Sequence, residues 1–362
     1  MKKYLLLVLF IALFGLSTSA QKLGKPTLTA TEPTAEQKSL IQEGIALHDQ
    51  KNYDAAIKIY QQVLKENSDC DLAIYELAFS YYAKQDFPKA LETAYKLVQY
   101  KGNRGILGYG LLANIVDDQG KPKEAIGIYL SAIKALEGDP EYKAHLSSLY
   151  FNLGVTYTRQ KQAKEAREAL KTAVLYDFKY PSPNYILAEV FYASKYKIPA
   201  LLAAGRFLTL EINSQRSNRA AMIILDVLKA AEKDEKGSIN IFVDLNAPKD
   251  EGDFGAMDLF LGTLTSVKSE KDKNKSEIEI FADAVDTVIS LLSEDKKLAS
   301  TFVGKTYLPF MVELKKQGYT KHLAYLILQQ NGNKEAEKWL IDSGEKTLAF
   351  FNWAKSYQPP IK

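Results

Sequence analysis

The chain has 362 residues, with 47 Lys and Arg against 44 Asp and Glu and a formal net charge of +3. Charge this balanced and interspersed offers no broad basic surface for nucleic acid, and a lone cysteine, Cys70, excludes an intrachain disulfide. An apolar content of 46%, including 22 Tyr and 16 Phe, leaves packing as the source of stability.

Lys2 and Lys3 precede an apolar run from Tyr4 to Leu16, followed by Ser17-Thr18-Ser19-Ala20. A basic start, a short apolar core and small residues predict a secretory signal peptide over residues 1–20, cut after Ala20. The 13 residues of the run fall short of the roughly 20 needed to cross the hydrocarbon core. No cysteine lies near the cut to carry a lipid. The mature protein is expected to be exported, periplasmic or extracellular, without a lipid anchor and without stable membrane insertion. Loss of Lys2 and Lys3 lowers the formal charge from +3 to +1. Residues 21–36 are polar, carry Pro26 and Pro33, lack periodicity and read as a flexible leader.

From residue 37 the chain repeats. Gly44, Ala78, Ala113, Gly154 and Ala188 form one series of small residues, and Ala56, Ala90, Ala125, Ala166 and Ala200 form another. Both advance by 34, 35, 41 and 34 residues. Each unit reads as two amphipathic helices joined by a break, as at Lys51-Asn52, Gln85-Asp86 and Gly120-Lys121-Pro122. Small residues are expected where the two helices approach closely, so Ala90 and Ala125 should be buried. Between the third and fourth units the period lengthens by seven, and Gly138-Asp139-Pro140 marks an added loop or turn. Repetition at this period predicts an all-α solenoid of helical hairpins over residues 37–214, each hairpin burying its apolar face against its neighbours.

The pattern resembles the tetratricopeptide repeat family: a 34-residue period, small residues at positions eight and twenty, and a large apolar residue at position eleven (Leu47, Tyr81, Val116, Tyr157, Phe191). It departs from the family at position 32, where proline is replaced by Ser68, Gly102, Glu137, Phe178 and Ile212, and at Asn184, where a bulky apolar residue is usual. The resemblance implies a right-handed solenoid, with the first helix of every unit lining a concave groove. Positions 5, 9 and 12 then share that face: Ile41, Ile45 and His48; Tyr75, Phe79 and Tyr82; Gly110, Asn114 and Asp117; Phe151, Val155 and Thr158; Tyr185, Glu189 and Tyr192. Asn152 and Arg159 lie one step round the helix. The candidate partner-binding groove is thus Tyr75, Phe79, Tyr82, Asn114, Asp117, Phe151, Asn152, Arg159, Tyr185, Glu189 and Tyr192, aromatic at both ends and polar in the middle.

Residues 215–236 read as a capping helix, with Met222, Ile223, Leu225 and Leu228 on its apolar side. Residues 237–362 read as a smaller, mainly helical C-terminal domain, either degenerate repeats or a separate bundle. Ile239, Ile241, Val243 and Leu245 alternate as in a short strand, Ser276 with Glu279 forms a capping box, and helices are predicted over 306–317, 320–330, 334–342 and 344–357.

Signals of catalysis are weak. His48, His145 and His322 are scattered and read as solvated or packing residues. Cys70 has no CxxC partner and is expected to be half-buried. Gly304-Lys305-Thr306 lacks the leading glycine and preceding strand of a phosphate loop and reads as a helix break. Gly102, Gly105, Gly108 and Gly110 read as loose packing or a bend. Asp244, Asn246, Asp250, Glu251 and Asp253 do not fit a calcium loop, because Gly255 stands where the closing glutamate belongs. No catalytic residue, metal site or cofactor is expected. The sequence points to a non-enzymatic protein–protein interaction scaffold of the cell envelope, holding a peptide or partner domain in the solenoid groove. An oligosaccharide binder using the same aromatic face and an enzyme with its site in residues 237–362 are the alternatives.

Overall fold

The computed structural model describes residues 23–228, 231–233, 239–241, 249–254, 257, 260–261 and 274–360. Five helical hairpins follow one another: α1 (Ala35–Asp49) with α2 (Tyr53–Glu66), α3 (Asp71–Ala83) with α4 (Phe87–Leu97), α5 (Asn103–Asp118) with α6 (Pro122–Leu136), α7 (Lys143–Arg159) with α8 (Ala163–Tyr176), and α9 (Pro181–Ala193) with α10 (Lys197–Leu208). Each second helix also packs on the first helix of the next unit. First helices of adjacent units lie side by side from α1 to α9, and no pair of second helices approaches as closely. The stack therefore curves toward its first helices, which form the inner face.

Why the units share one shape is visible at the turns. Lys51, Gln85, Gly120, Lys161 and Lys195 hold the same place in five hairpins, and all have left-handed φ between 58° and 75°. In the first, the Lys51 N–H donates to the His48 carbonyl (2.8 Å) and the Asn52 N–H to that of Leu47 (2.9 Å). The same pair of bonds recurs in the other four. This Schellman arrangement satisfies the last carbonyls of the first helix and reverses the chain. Ala90 and Ala125 are fully buried. A Cβ on Gly44 would lie 2.5 Å from the Tyr60 ring, and one on Gly154 would lie 2.7 Å from Leu170. Only glycine admits these large side chains from the second helix.

The lengthened period is absorbed by a 3₁₀ turn, Pro140–Tyr142, and by a seventeen-residue α7. Gly105 and Gly108 correct the reading of loose packing. A Cβ on Gly105 would lie 1.8 Å from the Tyr100 carbonyl oxygen, and one on Gly108 would crowd Leu97 and Val98 at 3.1 Å. The glycines allow a tight seat for α5. Cys70 is fully buried rather than half-buried.

Residues 23–34 correct the reading of a flexible leader. They run across the loops that join successive units. The Thr27 and Leu28 N–H groups donate to the Gln99 carbonyl (2.9 and 2.8 Å), and the Lys101 N–H returns a bond to Leu28 (2.8 Å). Thr31 N–H reaches the Asp69 carbonyl (2.9 Å), and the Tyr109 hydroxyl donates to the Gly24 carbonyl (2.6 Å). Lys25 pairs with Asp139, and both Pro26 and Pro33 are buried. A polar segment without periodicity is held by main-chain bonds, which leave no periodic trace in the sequence.

Beyond the hairpins, α11 (Gln215–Leu228) packs on α9 and α10. Two three-residue strands, β1 (Ala231–Lys233) and β2 (Ile239–Ile241), pair antiparallel, with Glu232 opposite Asn240. Val243 and Leu245 lie outside the described residues. Then come α12 (Glu277–Glu294), α13 (Phe302–Lys316), α14 (Thr320–Gln330), α15 (Lys334–Asp342) and α16 (Gly344–Ser356). Ser276 and Glu279 form the capping box of α12. Gly304 sits in the first turn of α13 and is not a helix break. Its bare Cα lets that turn rest on the Leu298 carbonyl, 1.7 Å from where a Cβ would be.

α13 packs on α10, and α14 packs on α11 and α12. One apolar core runs from Ala166 of unit four through α9, α10 and α11 to Ala354 of α16, and a second fills units one to four. The seam between unit five and α13 is also polar. Asn184, fully buried, donates to the Tyr180 carbonyl (2.8 Å) and accepts from the Tyr307 hydroxyl (2.9 Å). Arg206, fully buried, lies between the rings of Phe178 and Phe310 (4.3 and 4.6 Å) and donates to the Ala354 carbonyl (2.7 Å). Among the described residues no helix is long and apolar enough to cross a membrane.

Candidate functional site

The inner face is built by the first helices, and three stretches of it differ in character. On units one and two the structure joins Tyr75, Phe79 and Tyr82 to His48. The Tyr75 and Phe79 rings stack at 6.2 Å, His48 stacks on Phe79 at 5.0 Å, and Tyr82 lies 6.4 Å from Phe79. Tyr53 closes on His48 at 5.1 Å, and Phe87 extends the run beyond Tyr82 at 6.4 Å. Phe79 is 37% exposed in the middle of this run. His48 is fixed by a 2.8 Å hydrogen bond to Ser80, and burial lowers its pKa. Sequence reasoning placed His48 on the face but treated it as solvated or packing, and it missed Tyr53 and Phe87, which lie in second helices. Ile41, expected on the same face, is fully buried.

In the middle stretch three of the predicted polar residues, Asn114, Asp117 and Arg159, already have partners. Asn114 accepts from the Tyr129 hydroxyl at 2.9 Å. Asp117 pairs with Arg159 at 2.9 Å, with Asp117 9% and Arg159 60% exposed. Asn152 faces the bare Cα of Gly110, and Phe151 meets Tyr180 edge-on at 5.4 Å. At the far end, Tyr185 donates to Glu189 (3.1 Å), which takes two bonds from Arg219 of α11 (2.9 and 3.1 Å). Tyr192 donates to Asp226 of α11 at 2.6 Å. Tyr82 makes the matching bond to Asp118 of α5. Burial first, and that bond second, push the Tyr82 hydroxyl up to about 12. Tyr82 and Tyr192 are therefore ties between successive helices of the inner face. The open aromatic surface lies at units one and two.

Among the described residues no three His, Cys, Asp or Glu side chains converge as metal ligands. Asp250 and Glu251 of the acidic stretch are taken up by α8: Arg167 binds both (2.9 and 3.3 Å), and Lys171 reaches Glu251 at 3.0 Å. Asp244 and Asn246 lie outside the described residues. His322 is buried among Tyr319, Trp339 and Phe350, and neither ring nitrogen has a hydrogen-bond partner in the structure.

A curved stack of helical hairpins with one aromatic, solvent-accessible inner face is the build of a helical-repeat interaction protein. Residues 47–115 and 147–180 match sequence models of the tetratricopeptide repeat. These two stretches of the chain are tetratricopeptide repeats. No curated protein matches the chain in sequence. Similar solved structures include PilF of Pseudomonas aeruginosa, at 20% identity over 53% of this chain and 84% of its own, with a TM-score of 0.44. A repeat protein of Thermus thermophilus aligns at 23% identity over 52% of this chain and 99% of its own, TM-score 0.40. The C-terminal part of a repeat protein from Cytophaga hutchinsonii aligns at 14% identity over 82% of this chain and 98% of its own, TM-score 0.39. At these identities and scores they carry no functional inference.

Proposed function

We propose that this protein is a non-enzymatic scaffold of the cell envelope that holds a peptide or partner domain against the inner face of its first helices. One observation carries the reading: the ring of Phe79, stacked by His48 and Tyr75, is 37% exposed on the inner face. A pre-stacked aromatic face offers contact area at little entropic cost, since its rotamers are already fixed by neighbours. The envelope assignment rests on the basic start and apolar run of residues 1–20, and mass spectrometry of the mature chain should find an N-terminus at or near Gln21. An intact Met1 in the membrane would contradict it. The binding face is tested by a photo-crosslinking residue placed at position 79 in cells, with position 130 on the outer helix α6 as control. A specific adduct at 79 and none at 130 is expected. Equal labelling at both positions would reject the inner face.

A further inference from the structure

The charge of this chain is balanced overall but not across the stack. The inner helices of units one to three, α1, α3 and α5, together carry seven Asp and Glu against one Lys and one Arg. Their outer partners α2, α4 and α6 carry four Asp and Glu against six Lys. The inner bases cancel little of this. Arg104 is spent on Asp71 at 2.9 Å. Asp117 has Arg159, Lys84 at the end of α3 is taken by Asp54 of α2, and α3 itself has no Lys or Arg.

What remains beside the aromatic run is acidic and unpaired. Glu76, half-buried on α3 next to Tyr75, has no hydrogen-bond or ion-pair partner in the structure; burial first and the Asp49 carboxylate second raise its pKa, which Arg104 only partly offsets. Asp118 receives only the neutral hydroxyl of Tyr82. Like charges held together near partly desolvated rings oppose folding unless a cation arrives. An apolar or acidic occupant would worsen that repulsion, and a cationic one would relieve it.

We propose that the face of α1, α3 and α5 receives a basic segment of a partner protein, a Lys or Arg side chain lying over Phe79 and Tyr75 with its head between Asp49 and Glu76. This rests on the inner-face reading above and adds the partner's chemistry. A guanidinium stacks on aromatic rings and accepts carboxylates at its edge, so rings and acids act on one side chain together. The acidic inner face also speeds encounter with a basic partner, in a salt-dependent way.

The test uses three fluorescein-labelled peptides of equal length that alternate Leu with Arg, Gln or Glu, titrated with the mature protein at low and moderate salt. The Arg peptide should bind about tenfold tighter than the Gln peptide, and the Glu peptide should not bind. Glu76→Gln and Phe79→Ala should each weaken the Arg peptide about tenfold, while Glu92→Gln on outer helix α4 should not. Glu76→Gln removes an unpaired charge and should leave the melting temperature unchanged or raised, so its effect reads on binding. If the Gln peptide binds as tightly as the Arg peptide and still depends on Phe79, the inner face stands and the basic partner is overturned. Arg-peptide binding indifferent to both substitutions would reduce the attraction to unspecific charge and overturn the proposal. Failure of all three peptides would overturn it together with the reading beneath it.

Discussion

Asn184 stands where the repeat pattern calls for a bulky apolar residue, and the structure explains why. Its amide oxygen accepts the hydroxyl of Tyr307, 123 residues further along, inside a fully buried seam. Phe178, in place of the family's proline at position 32, packs in the same seam against Tyr307, Phe310 and Tyr357. Departures from the repeat were legible in the sequence. Their cause was not, because a single hydrogen bond between distant residues has no periodicity. Restoring the pattern with Asn184→Leu should cost about 1–3 kcal/mol, since it strands a buried hydroxyl. Adding Tyr307→Phe should recover much of that loss, as removal of both partners approaches neutrality. Denaturant melts of the two single variants and the double variant give the cycle, and additive losses would refute the pairing. His322 offers a second residue-scale outcome. Burial first, then Lys346 and Lys321, lower its pKa from the ordinary 6.5. The unfolded chain therefore binds the proton more readily. The stability this group allows is complete above pH 6.5 and is lost as the pH falls toward the depressed folded value. His322→Phe should flatten that part of the stability–pH curve, and an unchanged slope would show that His322 does not contribute to it.

At the scale of the element, the sequence located most helices because their apolar stripes repeat at helical spacing, and it located the breaks at Lys51, Gln85 and Gly120. It did not reveal that one left-handed residue recurs in all five turns, since Gly120 alone advertises it. Lys, Gln and Gly at one aligned position do not look alike, yet all have positive φ. Gln85→Gly should therefore stabilise by about 1 kcal/mol, because a side chain in this region is strained and glycine is not. Gly120→Ala should destabilise by a similar amount. Thermal melts that move both variants the same way would contradict the shared turn. The docked segment before α1 is the clearest miss. Main-chain bonds to Gln99 and Lys101 predict slow hydrogen exchange at the Leu28 and Lys101 amides. Exchange at Leu28 as fast as in an unstructured peptide would return the segment to a loose leader. Overpacking at Ala90, fully buried between the helices of unit two, should cost about 1–3 kcal/mol in Ala90→Leu.

Across the whole molecule, the two rows of helices divide the labour. The outer helices insert between inner ones and carry the excess of Lys, while the inner row of units one to three gathers aromatic rings and acids. At the far end the same face is closed by α11, whose Arg219 and Asp226 occupy Glu189 and Tyr192. The sequence suggested two equivalent aromatic patches, because Tyr75, Phe79 and Tyr82 align with Tyr185, Glu189 and Tyr192. Alignment gives position on a helix and says nothing about what the neighbouring helix supplies. Only the first patch is left with an exposed ring. The measurement that tests this most directly is Phe79→Ala, read in parallel by affinity for the crosslinked partner and by melting temperature. The account predicts binding weakened by about 1–2 kcal/mol or more with the melting temperature nearly unchanged, since Phe79 meets solvent on one side. Unchanged affinity, or binding and melting that fall together, would contradict it.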